Sequence, residues 1–365
     1  METWDSRDIS SPYLWLACAL IYISGLVMQA GGAGGGGVFV AILMSVLSLT
    51  AHEAVPLSKL VILLSAICTF IINSKKNVGI IDFTLVRAIV PLSLAGTLIG
   101  ILINTLVSDG VLLVMLCFLM AALLIKTVHL AATKYIEESK EPLPQNKGAD
   151  MGSREPTTMG SPQGDHAQVL VEDSLFAESH RKSERKKNLI MSALVPIVVI
   201  CGVLGSQTSI IPLRVLLEII PISGCIAVAG HFIKVDQAPQ NKSLAVVGFL
   251  GGIAAGLFGV GGGLIYSPVL LNMGIDPTVV IAVSSTGVLF ASASTALQYL
   301  FMGRIPAVPL GLLLAVFGIA AAMSAFLLVR FITRKTGKKY PIFFLVAGAV
   351  ALSSVVTLTK TIITV

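Results

Sequence analysis

Charge is what this sequence has least of. Lys, Arg, Asp and Glu make up 12% of the 365 residues, about half the share of a soluble globular domain, and aromatic residues only 6%. Such a balance excludes a cytosolic globular enzyme and a disordered chain, both of which need polar surface. Cysteine is also thin. Cys18, Cys68, Cys117, Cys201 and Cys225 all sit in apolar stretches and form no CxxC pair, which excludes a disulfide scaffold and suggests no zinc site. There is no HExxH, GxSxG or Walker motif and no cluster of His, Cys and acidic residues. An enzyme, direct ATP drive and a bound cofactor therefore have no footing.

What the chain has instead is apolar run after apolar run: 55% hydrophobic residues and a mean hydropathy of +0.91. The few charges fall into two populations. Residues 132–187 hold 19 of the 44 (9 basic, 10 acidic), and the rest lie mostly at the ends of apolar runs. The sequence pI near 9.1 does not point to nucleic acid, because Lys75, Lys76, Arg87 and the run Arg330, Arg334, Lys335, Lys338, Lys339 flank hydrophobic segments. Basic residues there set membrane orientation and need no polyanion. The start Met1–Pro12 carries Glu2, Asp5, Asp8 and Arg7. It lacks the basic n-region of a cleaved signal peptide, so the segment from Tyr13 is expected to be retained.

A spanning helix needs about 20 apolar residues. Spans are expected near 54–73, 84–107, 110–131, 277–302, 305–330 and 340–362, with two more near 188–205 and 207–232. Arg214 and Glu218 lie four apart in the last of these, a spacing for a structural pair or a span-end anchor. Two further stretches, 13–49 and 242–273, are crowded with glycine: Gly31, Gly32, Gly34 to Gly37 in one, Gly251, Gly252, Gly256, Gly259 and Gly261 to Gly263 in the other. Glycine costs a helix interior about 1 kcal/mol relative to alanine, so each stretch is expected to break into two half-helices.

The two stretches align at an offset of 226 residues: Gly35, Gly36 and Gly37 fall on Gly261, Gly262 and Gly263, and Ser58 falls on Ser284. The chain thus reads as a duplication. Its basic loops reverse: Lys75, Lys76 and Arg87 surround the first loop of copy one, whereas in copy two the first loop has only Arg304 and the second holds the run from Arg330 to Lys339. With basic loops cytoplasmic, the copies insert upside down relative to each other. The predicted fold is an all-α polytopic membrane protein of two inverted repeats. Each repeat has a Gly-broken half-helix pair plus three transmembrane helices, and two extra spans lie between them. Residues 1–131 form the first repeat, 132–187 a disordered cytoplasmic loop, 188–241 the connecting spans and 242–365 the second repeat. Paired broken helices in inverted repeats are a transporter architecture with its substrate near the midplane.

The segment Gly251–Leu271, GGIAAGLFGVGGGLIYSPVLL, resembles the signature of the TauE/SafE family of sulfite and organosulfonate exporters. Its pattern there is Gly259, Gly261, Gly262, Gly263 and Pro268, followed by the polar step Ala282, Ser284, Ser285, Thr286. The first copy keeps the glycines, lacks the proline, and carries Lys59 where Ser285 falls. The resemblance covers both repeats and implies a secondary transporter, exporter or permease, of small sulfur-containing or other organic anions.

Glycine breaks expose backbone N–H groups at the start of the second half-helix, where the helix end favours an oxyanion. Gly35, Gly36, Gly37, Gly261, Gly262 and Gly263 are therefore expected to face each other around the ligand; the other reading is that they only allow tight helix crossing. Lys59, inside an apolar helix, would draw the anion in, or else snorkel to the surface. Ser284, Ser285 and Thr286 offer hydroxyl donors or bond their own backbone. Gln29 reaches the ligand or caps the broken turn. His52 and Glu53 are either proton-coupling groups or interfacial ones, and the coupling ion would be a proton or sodium. Asp276 before Pro277 reads as a helix N-cap. The expected partners are a small anionic substrate and the lipid bilayer. A second class of function is a non-transporting scaffold or receptor acting through the 132–187 loop.

Overall fold

The computed structural model describes residues 11–140 apart from 33 and 77–79, residues 165–336 apart from 209–210, 236–240 and 306, and scattered positions between 343 and 362. The described residues form helices and no strand. In chain order these are α1 (Pro12–Ala30), α2 (Gly36–Val46), α3 (Ala51–Lys76), α4 (Phe83–Leu106), α5 (Asp109–Lys140), α6 (Asp165–Gln207), α7 (Ile211–Val235), α8 (Asn241–Phe258), α9 (Gly263–Asn272), α10 (Pro277–Phe301) and α11 (Val308–Thr336). Eight of them are long and apolar enough to cross a membrane; α2, α8 and α9 are the shorter apolar pieces. The expected span 340–362 lies partly outside the described residues, and those described there are helical.

Helix starts obey local chemistry. Asp82 accepts the Thr84 and Leu85 amides at the head of α4, and Asp276 accepts the Thr278 amide ahead of Pro277 on α10, as an N-cap with proline in the first turn should. Glu53 supplies its half of a capping box at α3: the Thr50 amide and hydroxyl both donate to Glu53 Oε2 at 3.0 Å. Next to it the His52 amide donates to Asp109 Oδ1, and the imidazole lies 3.7 Å from that carboxylate, both side chains more than a third exposed. His52 and Glu53 thus fasten helix ends at the rim of the bundle. The five cysteines are free thiols.

Element order repeats. A broken pair (α1–α2, α8–α9) is followed in each case by long helices, and the matching pieces run 19, 11, 26 and 24 residues against 18, 10, 25 and 29. The pieces pack across copies: α4 lies on α8, α11 on α1, and α3 against both α10 and α11. The closest approach is α4 on α8. A Cβ at Gly248, Gly252 or Gly256 would strike the carbonyl of Ile89, Ser93 or Thr97 respectively, and one at Gly96 or Gly100 would strike the carbonyl of Phe249 or Ile253. The pairs advance together, so the two helices run side by side in the same direction. In a bilayer, where apolar burial does not drive helices together, such backbone approach is a main source of cohesion.

The second stretch forms two half-helices, α8 and α9, and this packing shows which of its glycines make the break. α8 stays helical through Gly251, Gly252 and Gly256 to Phe258; the contacts with α4 offset the helix cost of those glycines. Helix also reaches into the polar stretch 132–187. α5 continues to Lys140 and α6 already begins at Asp165, so of 132–187 only 141–164 lie outside the described residues. A polar helix can be sustained by pairs one turn apart, and Glu184 and Lys187 make one at 3.0 Å. Arg87 is the other surprise. Placed by sequence among the loop-flanking cations, it is 2% exposed and donates to Glu184 Oε2 at 2.8 Å and Asn188 Oδ1 at 3.1 Å. Its guanidinium also lies 5.9 Å from the Phe232 ring centroid. It joins α4 to α6 and α7. The partner expected for Glu218, Arg214, has its side chain outside the described set.

Candidate functional site

The site is built on the two glycine breaks. After α1 the backbone takes positive φ at Gly32, Gly34 and Gly35 (72°, 76° and 78°); after α8 it does so at Gly259 (71°). Residues with a Cβ rarely adopt this conformation, which is why glycine sits at the turning points. A helix that ends inside an apolar bundle leaves carbonyls without donors. Here each break borrows one from the other copy: Asn104 Nδ2 on α4 donates to Leu257 O at 2.8 Å, and Ser267 Oγ on α9 donates to Gly31 O at 3.2 Å.

The breaks touch. A Cβ at Gly36 would collide with Gly259 O and Gly261 N and come within 2.9 Å of Ile62 Cδ1. The expected face-to-face meeting of the two triplets is narrower than drawn from sequence, resting on Gly36 against Gly259 and Gly261. Gly35 faces the ring of its own Phe39, Gly37 faces Met120 and Val260, and Gly262 faces Tyr266. Gly263 opens α9. The second half-helices bend back, so Phe39 on α2 also lies against Gly25 on α1.

Around this contact lie the polar side chains. Gln29 donates through Nε2 to Gly318 O at 3.2 Å and accepts from Thr69 Oγ1 at 3.5 Å. Ser285 donates to Ala282 O and accepts from Asn73 Nδ2 at 3.3 Å. Gln29, Ser65, Thr69 and Ser285 line one small cavity with Gly32, Gly34 and Val288. At ≈ 10 Å³ it has room for about one water and none for an oxyanion. Thr286 bonds its own turn, Oγ1 to Ala282 O at 2.7 Å, the backbone alternative expected for membrane hydroxyls.

Two groups have no such outlet. Lys59 is 0% exposed, and among the described residues its Nζ has no hydrogen-bond partner; the same holds for the buried Ser284 hydroxyl. Lys59 lies on α3 one turn from Ile62, the side chain that meets Gly36. Its burial rejects the snorkelling alternative. Sequence reading missed the groups that fix the surroundings: Asn104, Ser267, Thr69, Asn73, and Tyr266, whose hydroxyl pairs with Ser93 Oγ at 2.6 Å in the core. Their signal, a lone polar residue in an apolar run, is too common to read without the fold. Among the described residues no three His, Cys, Asp or Glu side chains gather as metal ligands.

Membrane-length apolar helices enclosing two glycine-broken helix pairs define an integral, multi-pass membrane protein. The chain belongs to the sulfite exporter TauE/SafE family, a family of membrane transporters: the model "Sulfite exporter TauE/SafE" matches residues 17–211 and again 165–355. Among its relatives is Sulfite exporter TauE/SafE family protein 1 of Arabidopsis thaliana, 26% identical over 96% of this chain and 84% of the relative. Family protein 5 of the same plant is 25% identical over 79% of this chain and 70% of its own length, and family protein 3 is 23% identical over 96% and 81%. No solved structure matches the chain.

Proposed function

We propose that this protein is a secondary transporter of small anions, sulfite, organosulfonates or related sulfur-containing and organic anions, working by alternating access around the touching glycine breaks. The observation that carries the reading is Lys59: a buried lysine whose Nζ has no hydrogen-bond partner among the described residues, one helical turn from the residue that abuts the contact. An unpaired cation at the centre of a span costs at least about 2.5–3.5 kcal/mol, and an anion binding beside it offsets that cost. The narrow cavity fits an occluded state in which the half-helices α2 and α9 must part before an anion enters.

Opposite insertion of the two copies supports alternating access, and helix directions favour it. α10 follows α4: its Gly287 lies near Ile89, and its Tyr299 hydroxyl donates to the Gly256 carbonyl, which is packed beside Thr97. α3 places Asn73, near its end, on Ser285 and Ile62, earlier in the helix, in the cavity that Val288 lines. The equivalent helices α3 and α10 therefore run in opposite directions. On this reading residues 132–187 face the cytoplasm, and a proton or sodium gradient drives flux.

Proteoliposomes holding the purified protein should carry one or more of sulfite, sulfate, thiosulfate, taurine, sulfoacetate or simple carboxylates. Lys59→Ala should abolish that flux while the protein still elutes as a folded species. Undiminished flux would sink the assignment. A scaffold would instead tolerate Lys59→Ala and Gly262→Leu and lose its function when the loop is deleted.

A further inference from the structure

A second cavity, away from the glycine breaks, opens between α5 and α9. It measures ≈ 340 Å³ and is lined by Ile125, Lys126 and His129 of α5 and by Pro268, Val269 and Asn272 of α9, within the roughly 300–1,000 Å³ range of small-molecule sites. The lining is amphipathic. Lys126 and His129, one turn apart, and the Asn272 amide supply donors; Ile125, Pro268 and Val269 supply an apolar wall. Among the described residues none of these three polar side chains has a hydrogen-bond or ion-pair partner, and both Lys126 and His129 are exposed.

Depth decides what could occupy it. α5 starts at Asp109, at the rim of the bundle beside His52. At 1.5 Å per residue, Lys126 and His129 stand about 26 and 30 Å further along, and the hydrocarbon core is about 30 Å thick. The two side chains therefore lie at headgroup level on the opposite surface. α9 leaves its break at Gly263 and ends at Asn272, about 14 Å on, so its outer end meets α5 at the same level. Cations and donors at the headgroup plane, with an apolar wall running inward from them, match one ligand class.

We propose that this cavity binds an anionic phospholipid. Its phosphate is held by Lys126, His129 and Asn272, and the first part of an acyl chain lies on Ile125, Pro268 and Val269. A lipid seated there bridges α5 to the second half-helix of the α8–α9 pair and biases how freely α9 moves. This rests on α5 spanning the membrane, not on the transport reading, and binding is measured without flux.

Purified protein in a neutral detergent is titrated with dioctanoyl phosphatidylglycerol, dioctanoyl phosphatidylcholine or inorganic phosphate, and the melting temperature and the lipid retained in native mass spectrometry are recorded. Phosphatidylglycerol should raise the melting temperature and be retained, whereas phosphatidylcholine and phosphate should do neither. Lys126→Gln with His129→Gln should weaken phosphatidylglycerol binding at least about fivefold, the usual worth of one basic residue at an anionic surface. Lys126→Arg with His129→Lys should keep it, which separates lost charge from lost fold. Arg330→Gln with Lys335→Gln, which remove the charge from a separate basic cavity at the end of α11, should leave it unchanged. Equal binding by the Gln double variant, or equal retention of phosphatidylcholine, would refute the site. A shift produced by inorganic phosphate alone would make it a free-anion site and refute the lipid.

Discussion

Lys59 and Arg87 look alike in the sequence, single cations in apolar surroundings, and the fold treats them in opposite ways. Arg87 is buried against a carboxylate that arrives from nearly a hundred residues away; Lys59 is buried with no acceptor for its protons among the described residues. Unpaired burial makes Lys59 a stability liability, since replacing a buried ionic group with a hydrophobic one of similar size often stabilises by about 1–4 kcal/mol. Lys59→Met should accordingly raise the melting temperature of the purified protein by about 1–2 °C per kcal/mol gained, less than the roughly 2–4 °C per kcal/mol of a 150–250-residue chain, while removing flux. A fall in melting temperature would mean that the ammonium has a structural partner. At Arg87 the order of damage follows from exposure. Glu184→Ala leaves a guanidinium that is 2% exposed short of its carboxylate, whereas Arg87→Met leaves a carboxylate that is 30% exposed and still paired with Lys187. Thermal melts should rank Glu184→Ala as the more destabilising.

Glycines of one cluster do different work at the scale of helices. Gly252 and Gly256 let α8 ride on the backbone of α4 and remain helical, while Gly259 turns the chain at positive φ. A valine at Gly252 would drive its Cβ into the Ser93 carbonyl, a backbone atom that cannot step aside. Gly252→Val should therefore cost at least about 1–3 kcal/mol by overpacking and lower the melting temperature or yield of folded protein. Gly224, inside α7, has nothing within 4 Å of a Cβ. Gly224→Ala should be neutral or stabilise by up to about 1 kcal/mol through helix propensity. The glycine clusters were legible in the sequence, and so was a break in each. Which glycine breaks and which packs was not, because that depends on the helix laid against it.

At the scale of the whole molecule the proposed inversion of the two copies has a direct test. In a background with the five cysteines replaced, Ser108→Cys and Lys335→Cys, both exposed positions, are probed with a membrane-impermeant maleimide. If the copies are inverted, the two positions label from opposite sides, with Ser108→Cys reacting from outside and Lys335→Cys only after permeabilisation. Labelling of both from one side would mean parallel copies and remove the basis for rocking one repeat against the other.

The sequence by itself determined the helical membrane class, most of the spans and the positions of the two breaks. Each of these follows from properties of consecutive residues: the transfer cost of charge, the length of apolar runs, and the freedom of glycine to turn. Tertiary structure alone decided that Gly36, against Gly259 and Gly261, and Gly37, against Val260, meet the other break while Gly35 does not, that Asn104 and Ser267 satisfy the carbonyls those breaks expose, and that the polar stretch flanking 141–164 is helical at both ends. It also decided that Arg87 is paired and that Lys59 has no partner among the described residues. Whether a buried polar group is satisfied depends on a partner that can lie anywhere along the chain, and no local pattern around the group encodes it.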